Sequence, residues 1–174
     1  ERDRFVSSAE SVAQIEVIED NALVKKVALK GHIADHPFTK VITLRSGDAK
    51  IGVDLKIEWT RNEGIGEYKE KNWGKDRRAF CDDRYKLSVM FPAQIEKGEL
   101  YKNAPFDVCK SKHENTFFNR WSEIKHNIIL NWVDVVAANG KYGLALYSDH
   151  TTSYSYGADY PLALTLQYSG GGLW

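Results

Sequence analysis

The chain has 174 residues, a length typical of one domain and large enough to bury a hydrophobic core. Its 24 lysines and arginines balance its 24 aspartates and glutamates, which argues against a nucleic-acid or anionic-membrane partner, since either requires a basic surface. No apolar run approaches the length of a membrane span, and no signal peptide is evident. The first residue is not methionine, so we expect the chain to be part of a longer polypeptide.

Apolar and polar residues alternate through most of the chain, which is the period typical of β-strands. In residues 53–59 the apolar side chains share one face with Trp59, so Trp59 is predicted to belong to the core. Residues 7–15 and 120–125 have a spacing that favours short helices instead. The predicted strands are residues 23–29, 38–45, 53–59, 85–91, 128–136, 142–147 and 162–168.

Turn-forming residues separate these strands, for example at residues 19–21 and 46–48. The pair Asn139-Gly140 favours a type I′ hairpin turn. Many short strands with regular turns predict an all-β fold, an antiparallel two-sheet sandwich. No repeat or linker interrupts the chain, so we expect a single domain at residues 1–174.

Two groups of polar residues contain the side chains of a metal site or a catalytic pair. In each group, however, the predicted secondary structure places those side chains unsuitably for that role. The spacing of His32 and His36 would suit a metal on a helix, but both fall in a predicted loop between strands, without an evident third ligand. Asp82 and Asp83 are adjacent, so a strand would point them to opposite faces, whereas glycoside hydrolysis needs two carboxyl groups across one sugar ring. We therefore predict neither a metal site nor a catalytic pair in this chain.

The two cysteines, Cys81 and Cys109, do not form a CxxC pair. The sequence leaves open whether they are separate thiols or a disulfide. Because disulfides follow the redox compartment, the location also stays open, with a soluble protein of a bacterial cytoplasm or periplasm expected.

The best candidate for a ligand site is the polar stretch of residues 148–154, which follows a hydrophobic strand. Asp149, His150 and their hydroxyl-bearing neighbours can hydrogen-bond sugar hydroxyls, and Tyr154 can offer an apolar face to a pyranose ring. A nucleophilic triad is not expected, because its serine, histidine and aspartate must be held by separate elements. The alternative interpretation is a polar loop stabilised by its own hydrogen bonds.

The tryptophans are candidates for contacting a sugar. Trp73 and Trp121 fall in long predicted connections, where β scaffolds commonly carry binding residues. Trp132 lies within an apolar run, so packing in the core or at a subunit contact is favoured for it.

Motifs near the C-terminus carry a resemblance to a known family. Trp132 and Asp134 form a W-x-D pattern, which is followed by the run Tyr142-Gly143-Leu144-Ala145-Leu146-Tyr147-Ser148-Asp149 and by a leucine-rich strand. Upstream, residues 87–92 read L-S-V-M-F-P. In this order and spacing the motifs resemble the C-terminal β-domain of the family 38 glycoside hydrolases, the class II α-mannosidases.

The resemblance implies a galactose mutarotase-like supersandwich and a parent enzyme that is a retaining, exo-acting α-mannosidase. Its aspartate nucleophile and its zinc ion would lie in an N-terminal catalytic domain, so no catalytic residue, metal ligand or cofactor is expected in this chain, which alone would be inactive. The β-domain would buttress that catalytic barrel and line the rim of the sugar pocket. Its partners would be mannosides and the N-terminal catalytic domain of the same polypeptide.

On this interpretation Asp149, His150 and Tyr154 line the substrate side, with Trp121 and Arg120 behind them. Asp149 matches the family's strand-end acid by pattern. The alternative is a free-standing carbohydrate-binding sandwich. An exposed apolar face without a neighbour would favour the domain of a larger enzyme, and a well-formed groove with two coplanar aromatic rings would favour the binding module.

Overall fold

The computed structural model describes residues 6–61, 86–95, 98–111, 128–157 and 160–168. Contacts between residues divide the chain into two compact units, Glu1–Asn62 and Glu63–Trp174. Both units are built from antiparallel strands, so the predicted all-β antiparallel fold is confirmed. The single domain expected at residues 1–174 stays a prediction. Within the described ranges, no helix is both long and apolar enough to cross a membrane.

The first unit is a four-stranded antiparallel sheet in the order β1-β2-β3-β4. Its strands are β1, Gln14–Asp20; β2, Val24–Ile33; β3, His36–Arg45; and β4, Ile51–Ile57.

The one or two helical turns predicted for residues 7–15 are confirmed only in part. Only a short 3-10 turn, Ser8–Glu10, forms there, and the Ser7 side chain caps it by accepting a hydrogen bond from the backbone N–H of Ala9 at 3.1 Å. Strand β1 begins at Gln14. The isoleucines, valine and glutamates that follow alternate with a period of two, which favours a strand over a continued helix.

One face of this sheet is apolar and largely exposed. In the register of the strands, one row of side chains crosses all four strands: Val17, Val27, Ile42 and Val53. Ile15, on the same face, is 71% exposed. We call this surface the first-unit apolar face, and Lys25 and Lys40 lie among its apolar residues; these are Ile15, Val17, Val27, Leu29, Ile42, Leu44, Ile51, Val53 and Leu55.

The β2–β3 connection is a tight hairpin, not the solvated loop predicted around His32 and His36. Its two turn residues are Ala34 and Asp35, and Ala34 has a positive φ of 49°. His36 begins β3 and is buried, and its Nδ1 accepts a hydrogen bond from the backbone N–H of Thr60 at 3.1 Å. A single imidazole therefore fixes the chain just after β4.

The prediction that Trp59 belongs to the core is wrong. Strand β4 ends at Ile57, and Trp59 is 43% exposed. Its ring stands edge-on to the ring of His36, with centroids 4.8 Å apart. The apolar alternation of residues 53–59 therefore continues beyond the strand that it predicts.

The second unit contains two four-stranded antiparallel sheets, with the orders β10-β9-β6-β7 and β5-β12-β11-β8. The strands are β5, Lys86–Phe91; β6, Glu99–Ala104; β7, Asp107–Ser111; β8, Ile128–Ile129; β9, Trp132–Val136; β10, Gly143–Tyr147; β11, Thr152–Gly157; and β12, Tyr160–Tyr168.

The two sheets of the second unit enclose one hydrophobic core, which confirms the predicted two-sheet sandwich. The first sheet contributes Leu100, Val133, Val135 and Leu146, and the second contributes Ile129, Tyr154, Leu162 and Leu164. Burial of these side chains is the main stabilising contribution in a layered fold of this kind.

Residues 128–136 form two strands, not the single strand predicted. β8 belongs to one sheet and β9 to the other, so the chain changes sheet between them. The side-chain oxygen of Asn103 accepts hydrogen bonds from the backbone N–H groups of Asn131, at 3.1 Å, and Trp132, at 3.0 Å. These bonds satisfy the backbone donors at the break, where strand pairing is interrupted.

The predicted hairpin at Asn139-Gly140 is confirmed, but its turn type is different. β9 pairs with β10 in register, with Val136 opposite Gly143. The N–H of Gly140 donates to the carbonyl of Ala137 at 2.7 Å. Gly140 has a φ of 66°, whereas that of Asn139 is not positive, and a type I′ turn requires positive values at both central residues.

Lys102 places a cation inside the sandwich. The residue is 7% exposed, and its Nζ donates a hydrogen bond to the carbonyl of Ile128 at 2.8 Å. The same nitrogen lies 5.9 Å from the centroid of the Tyr154 ring, within the range of a cation–π contact. Burial lowers the pKa of Lys102, because removal from water disfavours the charged form.

Replacing Lys102 by methionine tests this buried charge. Because the folded pKa is lowered, the unfolded chain holds the proton up to a higher pH than the folded chain does. The free energy of unfolding of the unmodified protein should therefore rise, relative to Lys102→Met, as pH rises from about 7 toward the ordinary lysine pKa of about 10.4. Urea denaturation at several pH values measures this difference.

The exposed Lys50 provides the control, and Lys50→Met should show no comparable pH trend. A difference between Lys102→Met and the unmodified protein that stays constant with pH would contradict the assignment of a lowered pKa to Lys102.

Candidate functional site

The connection between β10 and β11 carries the acid and the imidazole of the predicted site. It begins at Ser148, whose backbone N–H donates to the carbonyl of Asn131 at 2.7 Å. This bond holds the start of the loop beside Asn131, the residue that precedes β9. Asp149 and His150 follow and are both exposed, as a surface contact with a sugar requires.

Asp149 and His150 form a pair on this loop. Oδ1 of Asp149 lies 2.5 Å from Nδ1 of His150. The hydrogen bond to His150, together with its charge, holds the pKa of the Asp149 carboxyl below its ordinary value. Asp149 is therefore an ionised hydrogen-bond acceptor at neutral pH.

Ser148 completes a Ser-Asp-His group that cannot work as a nucleophilic triad. Its Oγ lies 3.4 Å from Nδ1 of His150, the same nitrogen that contacts Asp149. In a triad the serine and the aspartate contact opposite nitrogens of the ring. The backbone N–H of His150 also donates to Ser148 Oγ at 3.4 Å, so the serine mainly stabilises the turn.

Of the other three predicted site residues, the structure describes Tyr154, and Tyr154 does not join this pair. Tyr154 has 0% of its surface exposed and lies in the sandwich core beside Lys102, so its ring offers no face to a sugar in this arrangement. Arg120 and Trp121 lie outside the described residues.

The outer face of the β10-β9-β6-β7 sheet adjoins this loop and carries residues that the sequence did not assign to a site. Trp132 lies opposite Tyr147 on neighbouring strands, and Asp134 lies between Ala145 and Tyr101. Tyr147 is 67% exposed and Trp132 is partly exposed. Of the two roles favoured for Trp132 from sequence, packing in the core is therefore wrong, and packing at a subunit contact stays a prediction.

Two side chains on this face, those of Tyr101 and Lys110, are both paired with Glu99. Tyr101 donates its hydroxyl hydrogen to Glu99 Oε2 at 2.7 Å, and Lys110 Nζ lies 2.5 Å from Glu99 Oε1. Partial burial raises the pKa of Asp134, since it disfavours the carboxylate form.

The described residues offer no group of three or more histidine, cysteine or acidic side chains placed to hold a metal ion. His32 pairs with Pro37, and residues paired across two strands point to the same face of the sheet. Because His36 is adjacent to Pro37 along β3, it points to the opposite face from His32. Cys109 is partly exposed on β7, whereas Cys81 and the Asp82-Asp83 pair lie outside the described residues.

In a comparison with protein-family models, residues 1–169 match the glycosyl hydrolases family 38 C-terminal domain. No curated protein and no solved structure matches the chain. Because the family model covers nearly the whole chain, the chain belongs to the C-terminal domain family of the family 38 glycoside hydrolases, and the resemblance found in its sequence motifs is confirmed.

Proposed function

We propose that the chain is the C-terminal β-domain of an α-mannosidase-like retaining glycoside hydrolase. In that enzyme it supports a separate catalytic domain and lines part of the rim of the sugar pocket. The observation that carries the proposal is the family match across residues 1–169. The catalytic nucleophile and a zinc ion would belong to the catalytic domain of the same polypeptide, and the substrates would be mannosides.

The first-unit apolar face supports the buttressing role. Ile15 and Ile51 are 71% and 63% exposed there, and the row Val17, Val27, Ile42 and Val53 is apolar across all four strands. Large contiguous apolar surfaces are uncommon on soluble proteins that act alone and often mark an interface. Sheets and helices commonly bury an apolar face by packing another layer against it. A second layer about 10 Å away, supplied by the catalytic domain, would bury this face in the same way.

The Asp149–His150 pair supports the contact with sugar. Both side chains are exposed, and the lowered pKa of Asp149 keeps a carboxylate available to accept hydrogen bonds from hydroxyl groups. Neither group is placed to carry the chemistry, so the proposed role is binding at the rim.

A carbohydrate-binding module is the second candidate function. The observation that favours it is the position of Trp132 and Tyr147 on the same outer sheet face. The two candidates differ in whether the protein has a catalytic domain of its own.

The native polypeptide distinguishes the two candidates. We expect mass spectrometry of the protein from its source to give a chain several-fold longer than 174 residues, with hydrolase activity toward an aryl α-mannoside. A native chain with no catalytic domain would contradict the proposal and favour the binding module. A long chain that hydrolyses only other aryl glycosides would contradict the mannosidase specificity alone.

The buttressing role is tested by a charge placed on the first-unit apolar face. Leu55→Glu should lower the melting temperature and the activity of the full-length enzyme, because burial of an unpaired carboxylate at an interface costs several kcal/mol. The neighbouring Lys56 points to the opposite face of β4, so Lys56→Glu is the matched control and should change both quantities little.

The same two variants should have similar stability in the isolated 174-residue chain, where Leu55 is exposed. Equal destabilisation by Leu55→Glu in the isolated chain and in the full-length enzyme would overturn the buttressing role of this face.

The rim contact is tested by Asp149→Ala in the full-length enzyme. Loss of one hydrogen bond to substrate should raise KM about 3- to 10-fold and leave kcat unchanged, because the bond forms equally in the ground state and the transition state. Asp48→Ala, an exposed turn residue of the first unit, is the control. An unchanged KM for Asp149→Ala would remove this residue from the rim.

A further inference from the structure

The outer face of the β10-β9-β6-β7 sheet has an aromatic and polar composition that the buttressing role does not explain. Alternation along the strands sends one set of side chains into the core and the other set outward. The register of β6, β9 and β10 then places the outward set side by side. We call this surface the aromatic face; its members are Tyr101, Asn103, Trp132, Asp134, Ala145 and Tyr147.

Two aromatic residues are directly opposite each other on the neighbouring strands β9 and β10. Trp132 and Tyr147 are Cα partners across the two strands, which places their Cβ atoms roughly 5 Å apart. The adjacent outward residue of β10 is Ala145, whose short side chain leaves space above the sheet beside both rings. An apolar strip with open space above it suits a flat, rigid ligand.

Hydrogen-bonding groups border this strip. Asp134 lies one row from Trp132 on the same face of β9. The Asn103 side chain accepts hydrogen bonds from the backbone N–H groups of Asn131 and Trp132, which fixes the position from which the indole projects. Asp149 and His150 follow Tyr147 after one residue, and the Ser148–Asn131 hydrogen bond holds their loop beside this edge. Acids, amides and imidazole therefore surround two aromatic rings.

The charge of the aromatic face indicates which ligands it suits. Lys110 is neutralised by Glu99, which also accepts a hydrogen bond from Tyr101. Among the described residues of the face, the other charged group is the carboxyl of Asp134. These described residues provide no lysine or arginine free of a carboxylate partner, so they do not suit phosphates or nucleic acid, whose recognition depends on lysine and arginine. A neutral ligand with many hydroxyl groups suits it better.

We propose that the aromatic face binds a neutral oligosaccharide, with one pyranose ring on Trp132 and another on Tyr147. The C–H face of a pyranose packs on the rings, and Asp134, Asp149 and His150 exchange hydrogen bonds with its hydroxyl groups. The choice of mannosides as the ligand rests on the proposed function, whereas the surface itself is defined by the register of the strands. In the enzyme this face would hold a part of the glycan remote from the cleaved bond.

The test titrates the 174-residue chain with α-mannotriose and, separately, with cellotriose, while NMR chemical shifts of the backbone amides are recorded. We expect α-mannotriose to shift the signals of β9, β10 and residues 148–150. Tyr147→Ala should weaken binding about ten-fold, the loss for one stacked aromatic contact. Trp132→Ala should weaken it at least as much.

Tyr142→Ala is the matched control, because Tyr142 is an exposed tyrosine at the hairpin turn, outside the aromatic face. It should bind as the unmodified chain does. Because Trp132 is partly buried, Trp132→Phe, which keeps a ring, provides a variant that should fold and retain part of the affinity. The melting temperature of each variant establishes that a loss of binding is not a loss of folding.

Each result has a defined meaning. Binding of cellotriose but not α-mannotriose, abolished by Tyr147→Ala, would support the aromatic face as a glycan site and overturn the mannoside specificity of the proposed function. Absence of binding to both sugars, or binding that Tyr147→Ala leaves unchanged, would overturn the glycan site without affecting the family 38 assignment. Variants of this face that weaken only the association with a catalytic domain would also overturn the glycan site, because they would identify the face as a protein interface.

Discussion

The register of strand β9 determines which residues of the second unit are structural and which are available to a ligand. Val133 and Val135 point into the sandwich and have 0% exposed surface. Trp132 and Asp134 alternate with them and point outward. Because the side-chain period of a strand is two, a shift of one residue would expose both valines and bury a carboxylate.

Glycine at position 143 contributes to that register. It lies opposite Val136 at the start of β10, and a Cβ atom there would approach the carbonyl oxygen of Val135 to 2.7 Å. A larger residue would force the two strands apart at the hairpin. The Tyr142-Gly143 step that helped to identify the family is therefore also a packing requirement of the β9–β10 pair.

Strands with clean alternation could be predicted from sequence, and the others required tertiary information. Residues 85–91 alternate clearly and form β5, Lys86–Phe91, nearly as expected. Residues 148–154 read as a polar stretch, but within it Thr152 and Ser153 are buried in β11 and bond to Thr165 of β12. A buried strand whose hydroxyl side chains are hydrogen-bonded has the same amino-acid composition as a solvated loop. The local sequence pattern therefore does not distinguish a strand of this kind from a loop.

The same limit explains the candidate site. Asp149 and His150 could be found because their loop follows a predicted strand and both side chains are polar. The burial of Tyr154 depends on core residues that are distant in the sequence, such as Leu100 and Val133 of the facing sheet. Conversely, Trp132 sits in an apolar run and reads as core, because the sequence does not show which face of β9 a second sheet covers.

Strands β1 and β4 are the edges of the first sheet, each with one described neighbour. Charged side chains such as Glu16 and Lys56 lie along these edge strands on one face of the sheet, and Ile15 and Leu55 lie along them on the other face. Unpaired backbone groups next to exposed apolar side chains are the combination from which edge-to-edge aggregation begins. During synthesis this sheet is therefore an aggregation hazard, and the hazard ends when its apolar face becomes covered.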